Sequence, residues 1–187
     1  MAVTDTGSSQ RDSILDNALA LMSAHGAAGM TMRQLARACG VQVAAIYHYF
    51  ESKDALLTAV VEERQYGSRL EIPLVIDGAD PADRLRQIFM IVWDGALEEE
   101  AVWRLILGEG IRGEEAVVPV GRDLLGLVEL ACTAWVRDFI PELDHPEAVA
   151  SLIVGQLLAG FVMRMFREDT SSIGEEQAAT LVRAVFP

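Results

Sequence analysis

Gly108-Glu109-Gly110-Ile111-Arg112-Gly113 fits the spacing G-x-G-x-x-G, in which glycines let a backbone approach a pyrophosphate. That chemistry needs a strand before the glycines and a helix after them. Here a helical run, Val102 to Leu107, precedes them, and Pro119 lies close behind. Glu109, Glu114 and Glu115 would also repel the phosphates, so the string reads as a helix–helix loop. The sequence contains no GxSxG, HExxH or P-loop, and Glu98-Glu99-Glu100 lacks the apolar setting that would tune a carboxyl for acid–base work. Cys39 and Cys132 stand far apart, and His25, His48 and His145 are scattered. Neither a disulfide framework nor a metal cage follows from them, so no catalytic residue, metal or cofactor is expected.

A second group could do different chemistry. Between residues 31 and 53 lie Thr31, Arg33, Gln42, Tyr47, His48 and Lys53, with the methyl-bearing Val43, Ala44 and Ala45 among them. An arginine fork suits guanine O6 and N7, a glutamine amide can bond a base edge or a phosphate, and small apolar side chains can touch thymine methyls. Lys53, the only lysine of the chain, follows Ser52 at a helix start, where an ammonium and backbone amides together suit a phosphate.

These residues require helices to present them. β-branched alternation is absent, and the chain falls into helix-period segments set off by Gly, Pro and Asp, so the expected fold is all-α. Residues 1–10 are polar and small and are expected to be a disordered tail. A helix is expected from Arg11 to His25, ended by Gly26 in the αL conformation. Thr31 opens the next, with Gln34 at capping-box spacing, and Gly40 closes it. A short helix over 42–49 follows, and Ser52 caps a longer one with Asp54 in its first turn. Further helices are expected over 81–98, 99–110, 119–139, 145–168 and 175–185.

Charge separates the chain into two parts. Of 15 basic and 28 acidic residues (net charge −13), four of each lie in 11–54, and 11 and 23 lie in 55–187. A protein that coats nucleic acid is thereby excluded, and adhesion to anionic membranes is argued against, but a neutral reading head on an acidic body is not excluded. The first ten residues lack the basic and apolar regions of a signal peptide. The apolar run Ala148 to Met163 is interrupted by Gln156 and falls short of the length expected of a membrane span. A soluble, cytoplasmic protein without a membrane partner is expected.

Residues 31–50 have the build of a helix-turn-helix: a capped short helix, a glycine turn, and a second helix presenting its N-terminal residues outward. Spacing alone fits any αα-hairpin with a glycine turn equally well. Residues 14–57 go further and resemble the N-terminal domain of the TetR family of transcriptional repressors. The resemblance rests on Ile14-Leu15, Ala18 and Leu21, His25-Gly26, Thr31-x-Arg33-x-Leu35-Ala36, Gly40-Val41, Ile46-Tyr47-His48-Tyr49-Phe50, Ser52-Lys53 and Ala55-Leu56-Leu57. It implies a DNA-binding domain over 11–54 and a helical effector-binding and dimerisation domain over 55–187. Arg33 matches an arginine that reaches a base in some relatives, and Tyr47 and His48 match phosphate-contacting positions. Where relatives carry Lys, Ser or Thr, this chain has Val43, Ala44 and Ala45, which puts more weight on Arg33 and DNA shape.

The resemblance further implies a homodimer built on two long helices near the C-terminus, here 119–139 and 145–168. Ser151, Gly155, Ala159 and Gly160 form a small-residue stripe on the second of these. Met90, Trp93, Trp103, Leu107, Trp135, Phe161 and Met165 are candidate lining residues for a small-molecule effector, though such residues at helical spacing also build cores. The expected function is a repressor that binds double-stranded operator DNA as a dimer at a palindrome and is released by a small, largely apolar effector. The alternative is a helical small-molecule-binding or scaffold protein without DNA binding.

Overall fold

Apolar residues at helical spacing, broken at glycine and proline, give nine helices and no strand among the residues that the computed structural model describes, 6–63 and 74–187. Residues 1–5 and 64–73, with half of the expected tail and Pro73, lie outside them. The helices are α1 (Thr6–Gly29), α2 (Met32–Cys39), α3 (Val43–Tyr49), α4 (Lys53–Glu63), α5 (Pro81–Glu98), α6 (Glu100–Ile111), α7 (Val118–Phe139), α8 (Pro146–Phe166) and α9 (Ile173–Val185). Local chemistry explains several of the starts. Ser52 Oγ accepts the Ala55 amide at 3.0 Å ahead of α4. Asp80 Oδ1 accepts the Ala82 amide at 3.0 Å, and Pro81 fills the first position of α5, where a missing N–H costs nothing.

Three expectations need correcting. Residues 6–10, expected in a disordered tail, belong to α1; Tyr49 Oη donates to Gln10 Oε1 at 3.2 Å and ties that end down. Gly26 does have a positive φ, but its angles (75°, 156°) lie outside αL, in a region open in practice only to glycine. The chain then makes one more helical turn to Gly29. Third, Gly108 and Gly110 stand inside α6, and only Gly113 (φ 75°) occupies a turn, because the buried face Val102, Leu105, Ile106 and Glu109 carries the helix through them. No strand–loop–helix surrounds these glycines.

The chain divides into two compact units, each with its own core. One comprises Met1–Tyr66 with Glu99–Asp123. In it α1 packs on α2, α4 and α6, burying Ile14, Leu15, Ala18 and Met22 along one face. A fully buried side chain of this kind contributes roughly 1.5–3 kcal/mol. This packing unit does not stop at the boundary expected at 54/55, since α4 and α6 belong to it.

The other unit comprises Gly67–Glu98 with Leu124–Pro187, where α5, α8 and α9 pack together. Trp93 is central to it, 4% exposed, stacked on Phe89 and tilted against Phe161. A Cβ added at Gly160 or Gly174 would run into its indole ring, so both glycines are needed for that close approach. Arg84 bonds the carbonyls of Gly78 and Ala79 and the Glu142 carboxylate, and thereby ties the loop before α5 to the one after α7.

The length argument against a membrane span also needs revising. α8 has 21 residues and a mean hydropathy of 1.8 over its best window, enough by length and composition to cross a bilayer. Its face Val149, Ala150, Ile153, Leu157, Gly160 and Phe161 is instead buried inside its unit.

Candidate nucleic-acid interface

The turn between α2 and α3 is built from local signals. Thr31 Oγ1 accepts the Gln34 amide at 3.2 Å, and Gln34 Oε1 accepts the Thr31 amide at 2.8 Å, closing a capping box on α2. Gly40 ends α2 in αL (66°, 29°), its amide directed to the Arg37 carbonyl at 3.2 Å, and the Val41 amide reaches Ala36 O at 3.0 Å. Gly40, Val41 and Gln42 separate the two helices, and the Ala45 amide bonds Gln42 O at 2.9 Å at the start of α3. Leu35, Ala36 and Ile46 are buried beneath the turn.

That packing leaves one polar surface outward. Thr31, Arg33, Gln42, Ala44, Tyr47 and His48 are exposed, and Val43 and Ala45 are half-buried. Gln42 stands at the N-cap of α3 without capping it through its side chain, so its amide can face a ligand. His48 meets Tyr49 edge-on with ring centroids 5.3 Å apart. Two of the head's four cations are engaged within the fold. Arg11 holds Glu63 through both guanidinium nitrogens and lies over the Phe50 ring, 5.2 Å from its centroid. Lys53 Nζ donates to Ala28 O and Met30 O at 3.3 Å each, leaving one of three ammonium protons for a phosphate. Arg33 and Arg37 are exposed; Arg37 is an outward cation that the residue-by-residue reading of the motif passed over. A two-helix unit of this geometry can enter a major groove with Arg33 and the start of α3 at base edges.

Known proteins carry the same unit. Residues 14–60 match the family model for bacterial regulatory proteins of the tetR family. Residues 14–60 of this chain thus carry a TetR-family N-terminal domain. An HTH-type transcriptional regulator of Mycobacterium tuberculosis (strain CDC 1551) is 38% identical over 92 residues, covering 46% of this chain and 45% of that protein. The match thus spans under half the length of that relative. BetI of Agrobacterium fabrum, an HTH-type transcriptional regulator, is 29% identical over 183 residues, covering 95% of this chain and 86% of BetI. Among solved structures, AibR in complex with isovaleryl coenzyme A and operator DNA shares the fold, with a TM-score of 0.59 and 23% identity over 95% of this chain and 98% of that one. The matched family model is one of bacterial regulatory proteins.

The seven candidate lining residues are divided between the two compact units. Trp103 and Leu107 lie on α6 in one compact unit, while Met90, Trp93, Trp135, Phe161 and Met165 lie in the other. Trp93 and Phe161 pack on each other, Met90 and Trp135 are half-buried, and Met165 is 47% exposed. A cleft along α7 is lined by Gly126, Glu129, Leu130, Thr133, Ala134, Arg137 and Glu147, none of them among the seven.

The small-residue stripe divides by face. Ser151 and Gly155 are exposed and Ala159 is half-buried, beside the exposed apolar Leu152 and Val162. Gly160 is buried under Trp93 of its own chain and serves internal packing, a correction to its expected place at an interface. On α7, Leu127 (43% exposed) and Leu130 (69% exposed) are further exposed apolar residues.

Glu109 of α6, placed by the sequence reading only in a phosphate-repelling loop, is buried at 3% exposure. Its Oε1 accepts the Ala27 backbone amide at 2.7 Å and Arg112 Nη1 at 2.9 Å. The available signal was its place in the helical period after Val102 and Leu105 or Ile106, a position where an apolar residue is expected.

Proposed function

We propose that this chain is a cytoplasmic transcriptional repressor that binds a palindromic operator as a homodimer and is released by a small, largely apolar effector. The observation that carries this reading is the capped turn of 31–50, which buries Leu35, Ala36 and Ile46 and turns Arg33, Gln42, Tyr47 and His48 outward together. Thr31, Val43, Ala44, Ala45 and Lys53 complete the proposed DNA surface. Arg33 reads a guanine through its fork, the methyl groups at 43–45 contact thymines, and Tyr47, His48 and the free proton of Lys53 hold phosphates.

Dimerisation is supported by the face of α8 that carries Ser151, Gly155 and Ala159 with the exposed Leu152 and Val162, and by the exposed Leu127 and Leu130 of α7. A two-fold pair of heads suits a palindrome. The effector role rests on the family match of residues 14–60 and on AibR, whose structure holds both isovaleryl coenzyme A and operator DNA. Trp93 and its neighbours form the apolar heart from which such a pocket would open. Selection of genomic DNA by the purified full chain, followed by a ligand screen against the selected site, tests the reading. Recovery of one palindromic motif, with release by an apolar compound, is the expected result. Recovery of no motif would reject DNA reading and leave a ligand-binding or scaffold protein.

A further inference from the structure

Glu109 holds a buried charge that the proposed DNA contacts do not use, and its partners lie on the connection leading into α2. The helix that resumes after the break at Gly26 starts with amides lacking intrahelical acceptors. The Ala27 amide is one of them, and Glu109 Oε1, 82 residues on, is its acceptor at 2.7 Å. A carboxylate buried to 3% exposure is costly unless bonded, and here the amide and the Arg112 guanidinium share one oxygen. The contact is close: a Cβ at Gly26 would stand 3.3 Å from that same oxygen.

The next residues are held from another helix. Lys53 of α4 takes the carbonyls of Ala28 and Met30, Met30 is 1% exposed, and Thr31 then caps α2. Within five residues the backbone is fixed at Ala27, Ala28, Met30 and Thr31, and Arg33 follows two residues later. Glu109 supplies the first of these anchors from α6, outside residues 14–60 that carry the family's motif.

We infer that Glu109 is a positioning residue for DNA reading: by holding the Ala27 amide it sets where α2 begins, and so where Arg33 meets a base. The inference rests on the DNA-binding reading above. Bidentate base contacts tolerate little displacement, whereas phosphate contacts and non-specific affinity depend mostly on charge. Loss of Glu109 should therefore lower the ratio of specific to non-specific affinity. A purely structural role would lower both affinities together, in step with the folded fraction.

The test uses the full chain with Glu109→Met, which removes the acceptor, and Glu109→Gln, which keeps an amide oxygen for Ala27. Binding is measured to the duplex recovered by genomic selection and to a scrambled duplex of equal length. Thermal melts give the folded fraction, and hydrogen exchange reports the Ala27 amide. Expected for Glu109→Met is a fall of about tenfold in the ratio, within the range one bidentate contact supplies, with faster Ala27 exchange. Glu109→Gln should stay within about threefold of wild type, its bond weaker but present. If Glu109→Met does not fold, Glu109→Asp, which keeps the charge and withdraws the oxygen by one methylene, carries the same tenfold expectation. A folded Met or Asp variant with the wild-type ratio overturns the inference, as does a Gln variant that loses as much as Met. A wild-type chain that selects no DNA instead fails the functional reading itself, and this inference with it.

Discussion

Arg33 and Lys53 are both cations of the head, and the structure assigns them different work. Arg33 is exposed two residues past the α2 cap, while Lys53 spends two protons on backbone carbonyls. Val43, Ala44 and Ala45 carry no side-chain donor or acceptor, so the proposed DNA contact leaves hydrogen-bonded base reading to Arg33 and Gln42. Arg33→Ala should relax preference at one symmetric pair of G·C positions, a loss on the order of 1–3 kcal/mol of discrimination, read by binding-site selection. An unchanged selected motif would move the reading to Gln42 or to DNA shape. Lys53→Ala should flatten the salt slope by about 0.9 per head, measured by titration at several salt concentrations. It should also cost specific sequences more than non-specific ones, because the same ammonium anchors Ala28 and Met30 ahead of α2. Cys132 belongs to the same scale. Burial, with Glu129 nearby, pushes its thiol up to about 12. Folded chain then keeps the proton that unfolded chain loses at ordinary thiol pH, so this group's contribution to stability falls as pH rises toward 12. At neutral pH a thiol reagent should label Cys132 only after denaturation, and rapid labelling of native protein would contradict its burial.

At the scale of elements, α8 shows how one helix serves two surfaces. Gly155 and Gly160 are five residues apart, and a helical period of 3.6 puts them on different faces. Nothing lies within 4 Å of a Cβ at Gly155, whereas a Cβ at Gly160 would overlap Trp93. Gly160→Ala should therefore destabilise the chain by about 1–3 kcal/mol, because a packed indole and two flanking helices must shift. Gly155→Ala should be neutral or stabilise by up to ~1 kcal/mol through helix propensity alone. Denaturant unfolding of both variants checks the pair, and equal stability of the two would show that Trp93 is not wedged as described. The head's elements follow a more local logic. α2 and α3 are too short to stand alone in water, and their capping box, αL glycine and buried Leu35, Ala36 and Ile46 compensate.

For the whole molecule, the proposed dimer joins two neutral heads carried by acidic bodies. Residues 55–187 hold 11 basic and 23 acidic residues, so repulsion from phosphate backs the orientation that keeps the body off the duplex. A head with four cations, two of them engaged within the fold, predicts modest non-specific affinity and dependence on pairing for tight binding. Gly155→Arg tests this directly. Its site is open, so the monomer should keep its helical content, yet it should sediment at half the mass of wild type and bind the operator weakly. A Gly155→Arg chain that still sediments as a dimer, or a wild-type chain that is monomeric at micromolar concentration, would defeat the proposed interface.

Much of the head was legible before folding was considered, because its signals are local. Thr31 with Gln34, Gly40 before Val41, and Ser52 before Lys53 each act over four residues or fewer, so their types and spacing carry the geometry unaided. Proline marks the starts of α5, α7 and α8 in the same way, to within a residue or two. Partners distant in sequence were not legible. A helical period reveals which residues share a face, but not what that face meets. Only the tertiary structure put Glu109 on the Ala27 amide, Lys53 on the Ala28 and Met30 carbonyls, and Gly160 rather than Gly155 against Trp93. Each of those choices depends on groups from separate helices arriving together, and desolvation then makes the arrangement matter: a buried carboxylate must find its donor, and an indole must find two residues without side chains.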